Sequence, residues 1–275
     1  MSIDVNEAAT SPGGSVRQRT LLMKTRGSRA YSSIERRITI QTVILCGGKG
    51  TRAYPHTETL PKPLLEVDGA PILGHVLRIY ADQGFTSFIL AAGYLVERIE
   101  DFARTLPLSW DVDVVDTGEE TNTGGRVARC KSLVDGTFMV NYSDGLGDVD
   151  LDALVAFHDG HPGRATLTTV PLPSQYGTID IDRDGRVSRF REKPRLAEHL
   201  INGGYFVFDR SVFDLWTGED LEREVLPALG SAGELYAYRH LGFWQSMDTY
   251  KDALALTEIA RAGAPWTRVG QAPSA

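Results

Sequence analysis

The sequence contains few cysteines, which are typical of disulfide-rich proteins and of structural metal sites. Only two of its 275 residues are cysteines, Cys46 and Cys130, and no Cys or His lies beside either at ligand spacing. This excludes a disulfide framework or a structural zinc site, and we interpret both cysteines as small buried hydrophobes. Scarce cysteine fits a reducing compartment, so we expect a cytoplasmic protein.

Long apolar runs and an excess of positive charge are missing as well. No apolar stretch approaches the length of a membrane span, and no apolar segment follows the start as in a secretory signal. The net charge of −7 argues against a general nucleic-acid binder, which needs an excess of Lys and Arg facing phosphate. We therefore expect neither a membrane nor a nucleic acid as partner.

The composition changes after about residue 38. Residues 1–38 are rich in Ser, Thr, Gly and Arg without periodicity, which predicts a flexible leader. An arm that contacts a partner subunit or a phosphate is the alternative. Residues 39–266 form one predicted domain, and residues 267–275 a flexible tail.

One stretch, residues 42–62, combines a buried strand with a glycine-rich loop. An apolar run ends at Leu45 and Cys46, and Gly47-Gly48-Lys49-Gly50-Thr51-Arg52 follows. Glycines after a buried strand let backbone N–H groups approach a ligand closely, and Arg52 and Lys62 add positive charge. The loop suits a polyphosphate, although a glycine-rich loop alone is a weak signal.

Strand and helix patterns alternate along the rest of the domain. The alternation predicts an α/β fold with a mainly parallel sheet covered on both faces. Predicted strands lie at residues 42–46, 87–92, 112–115, 138–142, 165–170, 177–181, 187–191, 205–208 and 235–238. Predicted helices lie at residues 72–84, 96–104, 125–133, 151–158 and 249–261.

Three loops should meet at the carboxyl ends of the strands, where open α/β sheets bind ligands. They are residues 47–62, 116–126 and 143–148. Asp144, at a strand end opposite the phosphate loop, suggests a divalent cation, with a cap or turn residue as the alternative. Thr121 and Arg126 could contact a base or a sugar, or belong to a mobile connector.

The charged residues of interest in the second half of the chain also have purely structural interpretations. Glu192 and Lys193 should point to opposite faces of an extended segment unless a turn intervenes, and they could form an edge-strand charge pair. Asp248 precedes the last predicted helix, so its residue type alone favours an N-cap. Asp148 and Asp150 suit the same role before an earlier helix.

Several ordered segments resemble the sugar-1-phosphate nucleotidyltransferase family, and within it the cytidylyltransferases. They are G-G-K-G-T-R with P-K-P, V-D-T-G-E-E-T-N-T-G-G-R, Y-S-D-G-L-G-D-V-D, R-E-K-P, I-N-G-G-Y-F-V-F and G-F-W-Q-S-M-D-T. The similarity runs from about Thr42 to Trp266. It implies a Rossmann-like three-layer sandwich with a mixed, mainly parallel sheet, the nucleotide-diphospho-sugar transferase fold.

The resemblance also implies a role for each matching residue. The nucleotide-binding positions are Leu45, Gly47, Gly48, Gly50, Thr51, Thr121, Arg126 and Ser143. The sugar-phosphate positions are Gly177, Glu192, Lys193, Asn202 and Gly203. The catalytic positions are Arg52, Lys62, Asp144, Lys193 and Asp248, of which Asp144 and Asp248 would hold Mg²⁺.

The implied reaction joins a nucleoside triphosphate to a sugar-1-phosphate and releases pyrophosphate, with CTP and glucose-1-phosphate as first choices. The attacking phosphate is already an anion, so the lack of a His or Ser triad is no obstacle. A homo-oligomer is the expected assembly. Four sites depart from the cytidylyltransferases. Residues 104–111 replace a longer segment, Leu60-Pro61-Lys62-Pro63 replaces K-P-K-P, Tyr142-Ser143-Asp144-Gly145 replaces Y-G-D-G, and Ser174-Gln175-Tyr176-Gly177 replaces G-R-F-G.

Three other functions stay open. One is the same reaction with GTP or another nucleotide and a sugar-like cyclitol 1-phosphate. Another is a non-catalytic nucleotide sensor, although a sensor would not need both metal carboxylates. A dinucleotide-dependent oxidoreductase is weakest, because the glycines lack the G-x-G-x-x-G spacing and Ala91-Ala92-Gly93 offers no acid after the second strand.

Overall fold

The computed structural model describes Arg37 and residues 39–267. Apart from Arg37 and Thr267, the predicted leader and tail lie outside the described residues. Within the described part, no helix is both long enough and apolar enough to cross a bilayer.

Strands and helices alternate through the first half of the domain. The strands are β1 Gln41–Leu45, β2 Glu66–Val67, β3 Ala70–Pro71, β4 Ser87–Ala92, β5 Asp111–Asp116, β6 Thr137–Tyr142, β7 Gly145–Gly147, β8 Ala165–Pro173, β9 Thr178–Ile181, β10 Val187–Arg191, β11 Arg195–Asp209, β12 Leu235–Arg239 and β13 Trp244–Ser246. The α-helices are α1 Ile72–Ala81, α2 Val96–Ala103, α3 Thr123–Arg129, α4 Leu151–Asp159, α5 Leu226–Ser231 and α6 Tyr250–Arg261. Short 3₁₀ turns and one π turn, Leu221–Val225, connect them.

A seven-stranded sheet in the order β12-β8-β11-β6-β1-β4-β5 forms the centre of the domain. Strands β6, β1, β4 and β5 run parallel, and β12 is parallel to β8. Only β11 runs antiparallel, to β6 on one side and β8 on the other. The sheet is therefore mixed and mainly parallel, as predicted.

Apolar side chains cover both faces of this sheet. Along β1, Val43 and Leu45 pack into one buried cluster and Ile44 into the other, because alternate side chains of a strand point to opposite faces. Helices on the two faces complete these clusters, which gives three layers. A strand buried on both faces explains the continuous apolar run in the sequence.

Most predicted elements are confirmed, and the clearest differences in extent are in α3 and β11. Strand β4 has the predicted bounds, whereas α3 begins two residues before the prediction and ends at Arg129. The strand predicted at residues 205–208 is the end of the longer β11, Arg195–Asp209. Its first part pairs with β8 through backbone bonds, with register shifts around Asn202, and its polar, glycine-containing sequence gives no strand signal.

Candidate active site

The three predicted loops meet beside the carboxyl end of β1, where β4 and β6 flank it in parallel. There they border a cleft of about 330 Å³. The lining residues are Leu45, Gly47, Gly48, Gly50, Arg52, Lys62, Pro63, Thr121, Asn122, Thr123, Arg126, Tyr142, Ser143 and Asp144. Of the predicted nucleotide-binding residues, only Thr51 is not among them.

The glycines of the first loop make room for two basic side chains. A Cβ on Gly47 would lie 2.0 Å from Nη1 of Arg126, and one on Gly50, where φ is +61°, would lie 2.5 Å from Cβ of Lys62. A Cβ on Gly48 would meet no protein atom within 4 Å, so its backbone is open to an approaching ligand. The loop thus brings fixed positive charge to the cleft and leaves backbone exposed there.

A lysine joins the two predicted metal carboxylates at the wall of this cleft. Lys62 Nζ lies 2.6 Å from Asp144 Oδ2 and 3.4 Å from Asp248 Oδ1. Arg52 reaches Asp248 Oδ1 at 2.9 Å. Arg52 is 71% exposed and Lys62 only 12%, so Lys62 is fixed by the protein while Arg52 can move toward a ligand.

A short ribbon holds the two carboxylates together although they are distant in sequence. Strand β7 follows Asp144 and pairs antiparallel with β13, which precedes Asp248. Beyond the ribbon, Met247 N donates to Asp144 O at 2.8 Å. The relative position of Asp144 and Asp248 is therefore set by backbone hydrogen bonds.

The N-cap of α6 is Thr249 and not Asp248. Thr249 Oγ1 accepts from Asp252 N, and Asp252 Oδ2 accepts from Thr249 N at 2.7 Å, a reciprocal capping box. The carboxylate of Asp248 is left to face Lys62 and Arg52. By contrast, Asp150 caps α4 as predicted, and Asp148 pairs with His240 at 3.0 Å instead.

Asp144 and Asp248 have the chemistry of a divalent-cation site that substrates complete. Two carboxylates converge on one shared cationic group, and hard cations such as Mg²⁺ favour such oxygen donors together with phosphate and water. No group of three His, Cys, Asp or Glu side chains suited to a metal occurs among the described residues. The two carboxylates therefore fit a Mg²⁺ ion whose other ligands come from phosphate and water, and fit less well a metal site built from protein ligands alone.

Arg126 is buried and ties the strand-end loops to one another. Its guanidinium donates to five protein acceptors at 2.7 to 3.1 Å: Gly47 O, Ala92 O, Thr117 Oγ1, Gly118 O and Glu119 O. Burial lowers the pKa of this guanidinium from its usual range. The side chain lines the cleft, but its donors already hold the loops after β1, β4 and β5.

Two other predicted nucleotide-binding side chains also bond the protein. Ser143 Oγ donates to Leu45 O at 2.9 Å, and Thr121 Oγ1 donates to Thr117 O at 2.5 Å. Both residues lie at the cleft. Their hydroxyl protons bond the walls of the cleft, and their contact with a nucleotide stays a prediction.

The predicted sugar-side residues lie on β11, on the turn before it and, for Gly177, directly before β9. Lys193 has φ of +43°, an uncommon conformation for a side-chain-bearing residue, so a turn breaks the alternation that would separate it from Glu192. A Cβ on Gly177 would lie 3.1 Å from Glu192 Oε2, which places these two together. Asn202 Nδ2 donates to Tyr142 OH at 3.1 Å, and Gly203 O accepts from Trp244 Nε1 at 2.8 Å.

None of these five residues lines the described cleft itself. Tyr142 does line the cleft, and its hydrogen bond with Asn202 joins that residue to the cleft. The cleft and the predicted sugar side are therefore separate regions, with Lys62 and Asp144 in the wall of the cleft and Asp248 joined to them through Lys62.

Sequence reasoning missed three residues at this boundary: Thr123, Tyr142 and Glu222. Tyr142 ends β6 directly before Ser143, so its place in the chain was a usable signal. Burial, and then the neighbouring Glu222, raise the pKa of the Tyr142 hydroxyl, which keeps it protonated. Glu222 lies in the π turn far along the chain, and nothing in its local sequence points to the site.

The sequence matches the family described as "Nucleotidyl transferase" over residues 41–271. It is 38% identical over 254 residues to the glucose-1-phosphate cytidylyltransferase of Salmonella typhimurium, which covers 82% of this chain and 98% of that protein. It is 35% identical over 224 residues to the mannose-1-phosphate guanylyltransferase catalytic subunit beta of Drosophila pseudoobscura, covering 78% and 60%.

A solved structure shares the fold. HddC from Yersinia pseudotuberculosis, complexed with GMP-PN, superposes with a TM-score of 0.63 at 23% identity, covering 80% of this chain and 99% of that one. The predicted three-layer fold with a mainly parallel mixed sheet is confirmed.

Proposed function

The chain belongs to the nucleotidyl transferase family, and from this premise we propose that it joins CTP to glucose-1-phosphate and releases pyrophosphate. The choice of these substrates follows the cytidylyltransferase relative, which matches over nearly its full length. The observation that carries the chemistry is the ion-paired cluster of Lys62, Asp144 and Asp248, of which Lys62 and Asp144 line the cleft.

The reaction requires charge neutralisation and alignment rather than a general base. A phosphate oxygen of glucose-1-phosphate attacks the α-phosphorus of CTP, and the bond to the bridging oxygen of pyrophosphate breaks. Both reactants are polyanions, so repulsion and misalignment form much of the barrier. Lys62, held rigidly, neutralises charge at the α-phosphate, while the mobile Arg52 closes on the outer phosphates.

Asp144 and Asp248 would hold Mg²⁺ at this centre. When bound, the cation neutralises phosphate charge and orients the triphosphate for displacement. With the carboxylates engaged by a cation, the Lys62 ammonium that they contact in this structure would be available to the phosphates. Backbone N–H groups of the Gly47 to Thr51 loop, open at Gly48, receive the triphosphate.

The sugar phosphate belongs on the side of β11. Lys193 would bind its phosphate, and Glu192 would accept hydrogen bonds from sugar hydroxyls. The left-handed turn at Lys193 supports this, because it lets neighbouring side chains serve one ligand. Gly177, Asn202 and Gly203 would line the sugar. The homo-oligomer and the cytoplasmic location expected from the sequence stay predictions.

GTP with a different sugar-like phosphate is the second candidate. The guanylyltransferase relative at 35% identity favours it, as does the shortened segment at residues 104–111. The altered Ser174-Gln175-Tyr176-Gly177 leaves room for a cyclitol 1-phosphate.

A substrate screen tests the proposal. Purified full-length protein with Mg²⁺ is given each common nucleoside triphosphate crossed with glucose, mannose and cyclitol 1-phosphates, and pyrophosphate release is measured. We expect the highest kcat/KM with CTP and glucose-1-phosphate, and a loss of at least a hundredfold in Asp144→Asn. Asp150→Asn, the same change at a helix cap, is the matched control. Nucleotide binding without turnover of any pair would contradict the proposal and favour a sensor.

A further inference from the structure

A hydrogen-bonded carboxylate joins the two sides of the site outside the catalytic cluster. Glu222 Oε1 accepts from the Tyr142 hydroxyl, and Glu222 Oε2 accepts from the Thr123 hydroxyl at 2.7 Å. Bonds to an ionised acceptor are about twice as strong as neutral ones, so this carboxylate can hold both groups firmly.

Both partners of Glu222 line the cleft, and one of them also bonds the predicted sugar side. Thr123 opens α3, directly after the loop that borders the nucleotide cleft, and lines that cleft. Tyr142 also lines the cleft and accepts from Asn202 on the sugar side. Gly204 lies two residues after Asn202 on β11 and has φ of +81°. A Cβ at this position would lie 2.5 Å from Cδ2 of Tyr142, so the absence of a side chain lets the Tyr142 ring pack here. One carboxylate therefore connects α3 to β11.

The backbone that carries Glu222 is fixed on several sides. Leu221 N donates to Thr123 Oγ1 at 3.0 Å, and Gly125 N donates to Glu219 O at 2.9 Å. Asp220 caps the turn by accepting from Glu222 N and Arg223 N. The residue also lies in a π turn, a rare geometry that occurs often at functional sites. Its carboxylate is consequently preorganised and not a freely rotating surface acid.

We propose that Glu222 is a positioning residue that couples the nucleotide subsite to the sugar-phosphate subsite through Thr123 and Tyr142. The inference rests on the proposed function, because it takes Asn202 as part of the sugar side. Coupling of this kind is reciprocal: a change on the nucleotide side should alter the binding of the sugar phosphate.

Kinetic constants of full-length variants test the coupling. For Glu222→Ala we expect KM for CTP and for glucose-1-phosphate each to rise about tenfold, the effect of losing one to two charge-assisted bonds. Glu222→Gln should restore both to within about threefold of the wild type, because its amide can accept from Tyr142 and donate to the Thr123 oxygen. Glu224→Gln is the matched control. Within the described part of the chain, this acid on the same turn accepts only from the backbone N–H groups of Glu219 and Asp220, so the change should leave both KM values unchanged.

A double-mutant cycle separates coupling from simple loss of structure. Thr123→Val should raise KM for glucose-1-phosphate in the wild-type background and raise it much less in Glu222→Ala, where Thr123 has only its bond with Leu221 N left to lose among the described contacts. Additive effects, or a Glu222→Ala variant that behaves like Glu224→Gln, would overturn the coupling. If Glu222→Ala does not fold, the same cycle is run with Glu222→Gln and Tyr142→Phe, where additivity again overturns it. Wild-type protein without turnover would instead overturn the proposed function, and this inference with it.

Discussion

The buried guanidinium of Arg126 gives the most quantitative prediction. Arg126→Ala removes donors to Gly47 O, Ala92 O and Thr117 Oγ1, which are buried, and to two partly buried carbonyls that water can reach. Gly47 O keeps Tyr94 N as a donor, and Ala92 O keeps Thr117 N, so the variant loses hydrogen bonds without leaving these carbonyls unpaired. One hydrogen bond contributes about 1 kcal/mol net. For the three buried bonds together, we expect the free energy of unfolding to fall by about 3 kcal/mol.

Urea unfolding of Arg126→Ala, with Arg129→Ala as control, measures this. Arg129 lies on the same helix, but among the described residues it bonds only Thr117 and Thr121 of one loop, so its removal should lower the free energy of unfolding by less than about 1 kcal/mol. Arg126→Lys should recover part of the loss, since an ammonium has three donors. If Arg126→Ala is as stable as Arg129→Ala and binds CTP normally, the guanidinium does not hold the loops together.

Three further predictions follow from the same structure. Lys62→Ala should lower kcat by about a hundredfold or more, and Mg²⁺ should raise its Tm more than that of the wild type, because the carboxylates lose a competing ammonium. Lys193→Gly should raise the free energy of unfolding by about 0.5 kcal/mol by relieving the left-handed conformation, while KM for glucose-1-phosphate rises at least tenfold. Burial raises the pKa values of Cys46 and Cys130 to about 12 from an ordinary 9.0. Unfolding releases these protons above pH 9, so urea stability should fall between pH 9 and 12 and be unaffected by the thiols below pH 8.

The sequence was most informative where local pattern and strand order decide position. The apolar run before Gly47 and the acid after β6 both lie at strand ends, and parallel strands bring their carboxyl ends to one edge. This is why a cleft beside Leu45, and the position of Asp144 close to the glycine-rich loop, could be predicted. The role of Asp248 was ambiguous from residue type, because Asp and Thr are both good caps; the capping box of Thr249 with Asp252 decides it.

Features that depend on distant contacts could not be read from the sequence. Nothing near Arg126 shows that its donors would be taken by carbonyls of three loops, nor does the surface-like sequence around Glu222 reveal its bonds to Thr123 and Tyr142. The first part of β11 has polar residues and glycines, and only pairing with β8 makes it a strand. These are tertiary effects that override local propensity.

The central claim is that Lys62, Asp144 and Asp248 serve nucleotidyl transfer between two bound substrates. ³¹P NMR of CTP, glucose-1-phosphate and Mg²⁺ with the purified protein tests it most directly. We predict that pyrophosphate and a CDP-sugar diphosphate signal appear together in equal amounts, only when both substrates are present, and not with Asp144→Asn. Pyrophosphate or phosphate formed from CTP alone, without the sugar diphosphate, would mean hydrolysis and would contradict the account.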